Sequence, residues 1–250
     1  MRKGLLVCAV LVLVVIGTRA ALFNETERVS QTIGLDPGGT LRLKSFSGRV
    51  TITASDRSEV VIDALRRADR DRLDRIKLEI YKSGDTVVVD ANRRQTFWSF
   101  WGNNNVVETD FDIKVPRRTN LNIDVFSAAV HVTGVEGSHR LHTFSARVRV
   151  DDAIGSVQAK TFSGPVEIRA KSWQDNQTID VDTFSGNVEL HVPDSARGTL
   201  TFNSFSGRLN SDMPLVLHSS SRRALRAELG GGGSSTLRFK SFSGSVRIDR

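Results

Sequence analysis

Glu167 and Glu189 stand at the same place in two successive copies of one short phrase, five residues after Phe162 and Phe184. Two carboxylates brought together on an outward face are what glycoside chemistry or a calcium site requires. A parallel β-helix enzyme acting on acidic polysaccharide is therefore one reading of this chain. The equivalent positions in the other copies are Thr51, His131, Arg149, Asn210 and Arg247, which mix signs. A bland reading of the row is thus a set of exposed ion pairs, such as Arg149 with Glu167, worth about 0.2 to 1 kcal/mol each. Asp151 and Asp152 fall where a turn is expected, and aspartate is ordinary in turns. His139 and His142, three apart on a strand, face opposite sides and make no chelating pair. The chain carries no HExxH, GxSxG or phosphate loop, and its one cysteine, Cys8, lies in an apolar N-terminal run. The residues therefore point to no catalytic group, no cofactor and no metal, and the chain reads as non-enzymatic.

Aromatic chemistry is concentrated in QTFWSFWGNNN, residues 95–105. Phe97, Trp98, Phe100 and Trp101 are followed by Asn103 and Asn104. Aromatic faces beside amides hold sugar rings, tryptophans seat at lipid interfaces, and a bulky loop can equally cover the open end of a stack of strands. Ligand or partner contact at these six residues and a capping role both stand as readings. Trp173, alone in KSWQDNQ, reads as packing.

The elements that must position these groups come from a sevenfold repeat. SFSGRV, VFSAAV, TFSARV, TFSGPV, TFSGNV, SFSGRL and SFSGSV centre on Phe46, Phe126, Phe144, Phe162, Phe184, Phe205 and Phe242. The steps between them are 80, 18, 18, 22, 21 and 37 residues. Units near 20 residues indicate a stacked solenoid. Apolar residues before each phenylalanine keep one alternation (Leu41 and Leu43; Ile179 and Val181), and those after it keep the other (Val166 and Ile168; Val188 and Leu190). A strand holds its apolar face by strict period two, so a recurrent slip by one residue means a bend. Gly48, Gly164, Gly186, Gly207 and Gly244 sit at that bend and supply positive φ or close backbone approach. Ala128 and Ala146 replace them in two units, whose corners are expected to be strained or differently shaped. In-register stacking puts the phenylalanines about 4.8 Å apart, and burial of so many rings predicts an internal aromatic column. TGVEGS and DAIGS mark a second corner in each coil. The outward row two residues before each phenylalanine is Lys44, Asp124, His142, Lys160, Asp182, Asn203 and Lys240.

The chain opens with two basic residues, an apolar run from Leu5 to Ile16, and small residues at Thr18 and Ala20. Residues 1–21 read as a secretory signal, the run being short for a membrane span, with an uncleaved anchor as the alternative. Export to the periplasm, outer envelope or cell surface follows. Loss of Arg2, Lys3 and Arg19 lowers the basic count from 35 to 32 against 28 acidic residues, a net charge of +4 in place of +7. That mild, interleaved excess speaks against a nucleic-acid groove. Residues 22–250 read as a single domain. A β-rich insertion occupies about 58–115, with a short charged helical turn at Asp69 to Arg75 and a hairpin through Ser83, Gly84 and Asp85. A C-terminal hairpin with a glycine-rich tip, followed by the last coil, occupies about 222–250.

Taken together, the export signal, the early SFSGRVTI, FDIKVPRRTNLNIDV with its Pro116, and the tandem Thr-Phe-Ser-Gly-x-Val units resemble the bacterial adhesin-like family of unknown function, built from β-strand repeats. The resemblance covers roughly residues 35 to 250. It implies an all-β chain wound as a right-handed parallel β-solenoid on the cell envelope, with an adhesin-like surface for polysaccharide or protein contact. An accessory or scaffold of an envelope-stress signalling system is the alternative. The partners implied are an envelope polysaccharide or a surface protein, with the membrane met only through the N-terminal segment where it is retained. The family pattern carries no catalytic residues.

Overall fold

In the computed structural model, the described residues are 25–94 and 106–250, with side chains described outside 92–94. The signal reading of residues 1–21 and the aromatic segment Phe97 to Asn104 lie outside them. β1 (Glu25–Gly34), β2 (Thr40–Ser55) and β3 (Glu59–Ala68) come first, followed by a short helix, α1 (Arg70–Arg75). Asp69 caps that helix, its side chain accepting from the Arg72 N–H. β4 (Ile76–Ser83), β5 (Thr86–Arg94) and β6 (Glu108–Pro116) lead into β7 (Asn120–Thr133). Short pairs of strands then follow the repeat: β8 (His139–Thr143) with β9 (Val148–Ala153), β10 (Val157–Thr161) with β11 (Val166–Ala170), β12 (Thr178–Thr183) with β13 (Val188–His191), and β14 (Gly198–Ser204) with β15 (Leu209–Ser211). β16 (Leu215–Ser220) and β17 (Ala224–Leu229) precede the last pair, β18 (Thr236–Ser241) and β19 (Val246–Asp249).

The chain is all-β, with mostly parallel pairing between successive coils. Strands before the phenylalanine form one sheet, in which Leu41, Leu121, His139, Val157, Ile179, Leu237 and Leu200 lie in register. Strands after it form the other, with Val50, Val130, Val148, Val166, Val188, Val246 and Leu209 in register. Apart from the buried His139, both columns belong to one apolar cluster, with Leu209 packed against it. Isolated parallel bridges join Arg118 to Glu136 and Glu136 to Ile154, so the TGVEGS and DAIGS corners are also stacked. The solenoid-like core thus follows from period-two alternation repeated coil after coil.

Two features depart from simple stacking. β18 pairs with β12 on one side and with β14 on the other, so the last coil is inserted between two earlier ones. β17 runs antiparallel to both β14 and β16. The hairpin therefore turns at 221–223, and the glycines expected at its tip, Gly230 to Gly233, instead carry the chain from β17 to β18 across the end of β14. In the insertion, β3 runs antiparallel to β1 and β6, while β4 and β5 form the hairpin through Gly84.

The phenylalanine column exists, but it lies outside. The residue before each ring is the one that enters the core: Ser45, Val125, Thr143, Thr161, Thr183, Ser204 and Ser241 are all buried. The rings themselves are 37 to 50% exposed. Parity counted across the bend gives the wrong side, because alternation holds only while the backbone is extended. Between Thr161 and Val166 the chain rounds an outward arc of four residues, and Phe162 is the first of them.

Candidate functional site

The corner builds the site. Ser145, Ser163, Ser185 and Ser243 each donate a backbone N–H to the carbonyl of the phenylalanine one coil back, at 2.9 to 3.1 Å. Ser206 does the same to Phe242 at 3.0 Å. Coil spacing is thereby imposed on the rings. In spatial order Phe46, Phe126, Phe144, Phe162, Phe184, Phe242 and Phe205 stack with centroids 4.7 to 4.9 Å apart and interplanar angles of 1 to 16°. The guanidinium of Arg223 lies 4.1 Å over the ring of Phe205. The ladder is roughly 29 Å long, six steps at the interstrand spacing.

Glycine serves this geometry in two ways. Gly48 has φ of 111°, a left-handed backbone. At Gly186 the φ is ordinary, but a Cβ would stand 1.9 Å from the Gly164 carbonyl oxygen, so close approach of coils is what demands glycine there. Thr183 Oγ1 accepts from the Gly186 N–H at 2.8 Å and holds the corner shut. The corners at Gly48 and Ala128 lie within the continuous strands β2 and β7, whereas that at Ala146 interrupts the strand as the later ones do.

The outward row two residues before each ring borders the ladder. It runs Lys44, Asp124, His142, Lys160, Asp182, Lys240 and Asn203 in register. The ladder from Phe126 onward and the row together line a groove of about 1150 Å³, which Arg223 and Asp90 complete. Among the described residues Lys44, Asp124, Lys160, Asp182 and Lys240 form no ion pair with one another, so the row presents alternating charges to the groove. Sequence reasoning named every ring and every member of the row, but placed the rings inside. Arg223 was missed, because only the antiparallel turn beside β14 brings it to Phe205.

The second outward row carries the acids. His131, Arg149, Glu167, Glu189, Arg247 and Asn210 are in register on the other sheet. Arg149 bonds both Asp151 at 2.7 Å and Glu167 at 3.3 Å. Arg169 reaches Glu167 at 2.6 Å. Burial pushes the Asp151 carboxyl up, but the Arg149 and His131 contacts outweigh it and hold the group below the usual carboxylate range. Asp151 and Asp152 belong to the end of β9 and not to a turn, Asp152 in the left-handed region at φ of 53°. His139 is buried with Nε2 on the Val135 carbonyl at 3.0 Å, while His142 faces the groove. Trp173 packs against the core cluster and donates from Nε1 to the Arg197 carbonyl at 2.8 Å.

The family described as Toastrack DUF4097 matches residues 119–249. No curated protein matches the chain. A solved structure named "putative cell adhesion protein", from Clostridium sporogenes, superposes with a TM-score of 0.54 at 9% identity, over 89% of this chain and 99% of that one. It shares the fold. A "putative adhesin" from Bacteroides fragilis follows with a TM-score of 0.45 at 8% identity, over 89% and 97% of the two chains. A "putative lipid binding protein" from Parabacteroides distasonis has a TM-score of 0.35 at 11% identity, over 88% and 96%.

Proposed function

The chain belongs to the Toastrack DUF4097 family, and from that premise we propose that it is a non-enzymatic, exported cell-envelope protein whose phenylalanine ladder is an adhesin-like contact surface for a protein partner. The solenoid-like domain, to which we assign right-handed winding as for parallel crossovers generally, serves as a rigid rod displaying that surface. The observation that carries the reading is the row of exposed rings bordered by charges that spend nothing on one another. Apolar area of this kind, contiguous and rimmed by polar groups, marks interaction surfaces.

Ring geometry selects the occupant. Each ring from Phe126 to Phe242 has a neighbouring ring against both faces, so what it offers outward is its edge. Sugars stack on faces; an extended polypeptide with apolar side chains and alternating charges packs on edges. We therefore assign a protein segment lying along the groove.

The test is binding of the purified protein to whole cells, measured by co-sedimentation, with a Phe144→Ser, Phe162→Ser, Phe184→Ser triple variant alongside. Thermal melting checks that the variant folds. We expect binding of the unaltered protein and a drop of about tenfold or more in the variant. Equal binding by a folded variant, or none by the unaltered protein, overturns the reading.

A further inference from the structure

In-register stacking places Glu167 of β11 and Glu189 of β13 directly opposite each other. Like charges so placed repel. Glu167 is offset by Arg149 and Arg169, but Glu189 has no ion pair among the described residues. His191, two residues beyond Glu189 and on the same face, brings Nε2 to 3.9 Å from Glu167 Oε1. One ligand atom from each of the three lies within 4.8 Å of the others.

The far side of the imidazole distinguishes this group from an ordinary charged face. His191 Nδ1 is in ion-pair contact with the carboxylate of Asp249, its register partner on β19. Asp249 thus lies behind the imidazole, on the side away from Glu167. His191 Nε2 is shielded from solvent and has no hydrogen-bond partner. An unpartnered imidazole nitrogen beside two carboxylates, with a third carboxylate in contact behind the ring, offers a cation three ligand atoms from neighbouring coils.

The geometry points to a divalent-cation site formed by His191 Nε2, Glu167 and Glu189, oriented by Asp249. One nitrogen and two carboxylate oxygens suit a borderline first-row ion, Zn²⁺ above all, better than Mg²⁺ or Ca²⁺, which favour oxygen alone. Zinc bonds of about 2.0–2.1 Å set tetrahedral ligand atoms roughly 3.3 Å apart. The 3.9 Å separation closes to that by a side-chain rotation at Glu167. Arg169, half exposed, swings outward to release the carboxylate. Three protein ligands leave the fourth position to water or to a partner's donor.

Isothermal titration of the purified full chain with ZnCl₂ in chelator-free buffer at neutral pH tests the site, with MgCl₂ as the comparison ion. We expect one equivalent bound, saturating by about 100 µM. His191→Ala and Glu189→Gln weaken it about tenfold or more. His142→Ala, on the other sheet, leaves it unchanged. Zinc raises the melting temperature of the unaltered chain and not that of His191→Ala, a readout that also reports whether the variant folds. No saturable binding, equal binding of Mg²⁺, or undiminished binding in a folded His191→Ala chain overturns the assignment.

Discussion

His139 occupies a slot that Leu121 fills in the coil before it and Val157 in the coil after it, inside a column otherwise aliphatic. Burial holds the imidazole below its ordinary value of 6.5, against the opposing pull of the Val135 and Ser138 backbone contacts. The consequence for stability has a definite sign. Because the folded-state pKa is depressed, the unfolded chain takes up a proton below about 6.5 that the folded chain refuses, and folding weakens as pH falls through that range. Urea unfolding between pH 7.5 and 5.5 is expected to show stability falling on acidification. A His139→Leu chain is expected to show a flatter dependence, whatever its stability at neutral pH. An identical slope in the two chains would mean that some other group titrates. The same residue scale explains why the ladder can stay exposed: stacking covers the ring faces and leaves only their edges to solvent.

At the scale of the element, the corner is the unit that recurs. Its interior hydroxyl, its outward ring and its glycine are coupled, because Thr183 bonds the Gly186 N–H while Phe184 stacks on the adjacent coil. Gly186→Ala drives a methyl toward the Gly164 carbonyl and Thr183 Oγ1. The expected cost is about 1–3 kcal/mol, as for an overpacked core, read as a lower urea midpoint with unchanged m-value. A neutral outcome would show that the coils can part locally.

Viewed as a whole molecule, the stack of coils is completed by insertion of its last coil. The last coil, β18 and β19, supplies a partner to β12 and β13 on one side and to β14 and β15 on the other. In a stack where each coil touches only its neighbours, removal of an inner coil breaks two interfaces at once. Truncation after Gly233 is therefore expected to unfold Gly198–Ser211, which precedes the cut, while coils up to β13 persist. Hydrogen exchange read by mass spectrometry checks this. Protected amides across β14 in the truncated chain would contradict it. The insertion also orders the site, since it sets Phe242 between Phe184 and Phe205 and Asp249 beside His191.

Local alternation and the spacing of Phe-Ser-Gly were enough to read all-β structure, stacked coils of about 20 residues, the corner at each phenylalanine and the membership of both outward rows. All of these are properties of neighbours in sequence, propagated by repetition. Parity counted back across the bend from Val166 puts the rings inside, whereas alternation carried forward from Val157 and Ala159 through the buried Thr161 leaves Phe162 outside, and the tertiary structure decides for the second. Linear order could not disclose that the last coil enters between two earlier ones, since any coil of the repeat fits any other in register. The pairing of His191 with Asp249 depends on that placement, and that of Arg223 with Phe205 on the antiparallel turn beside β14. Those are contacts between distant segments, and they exist only once the chain has chosen among equivalent partners.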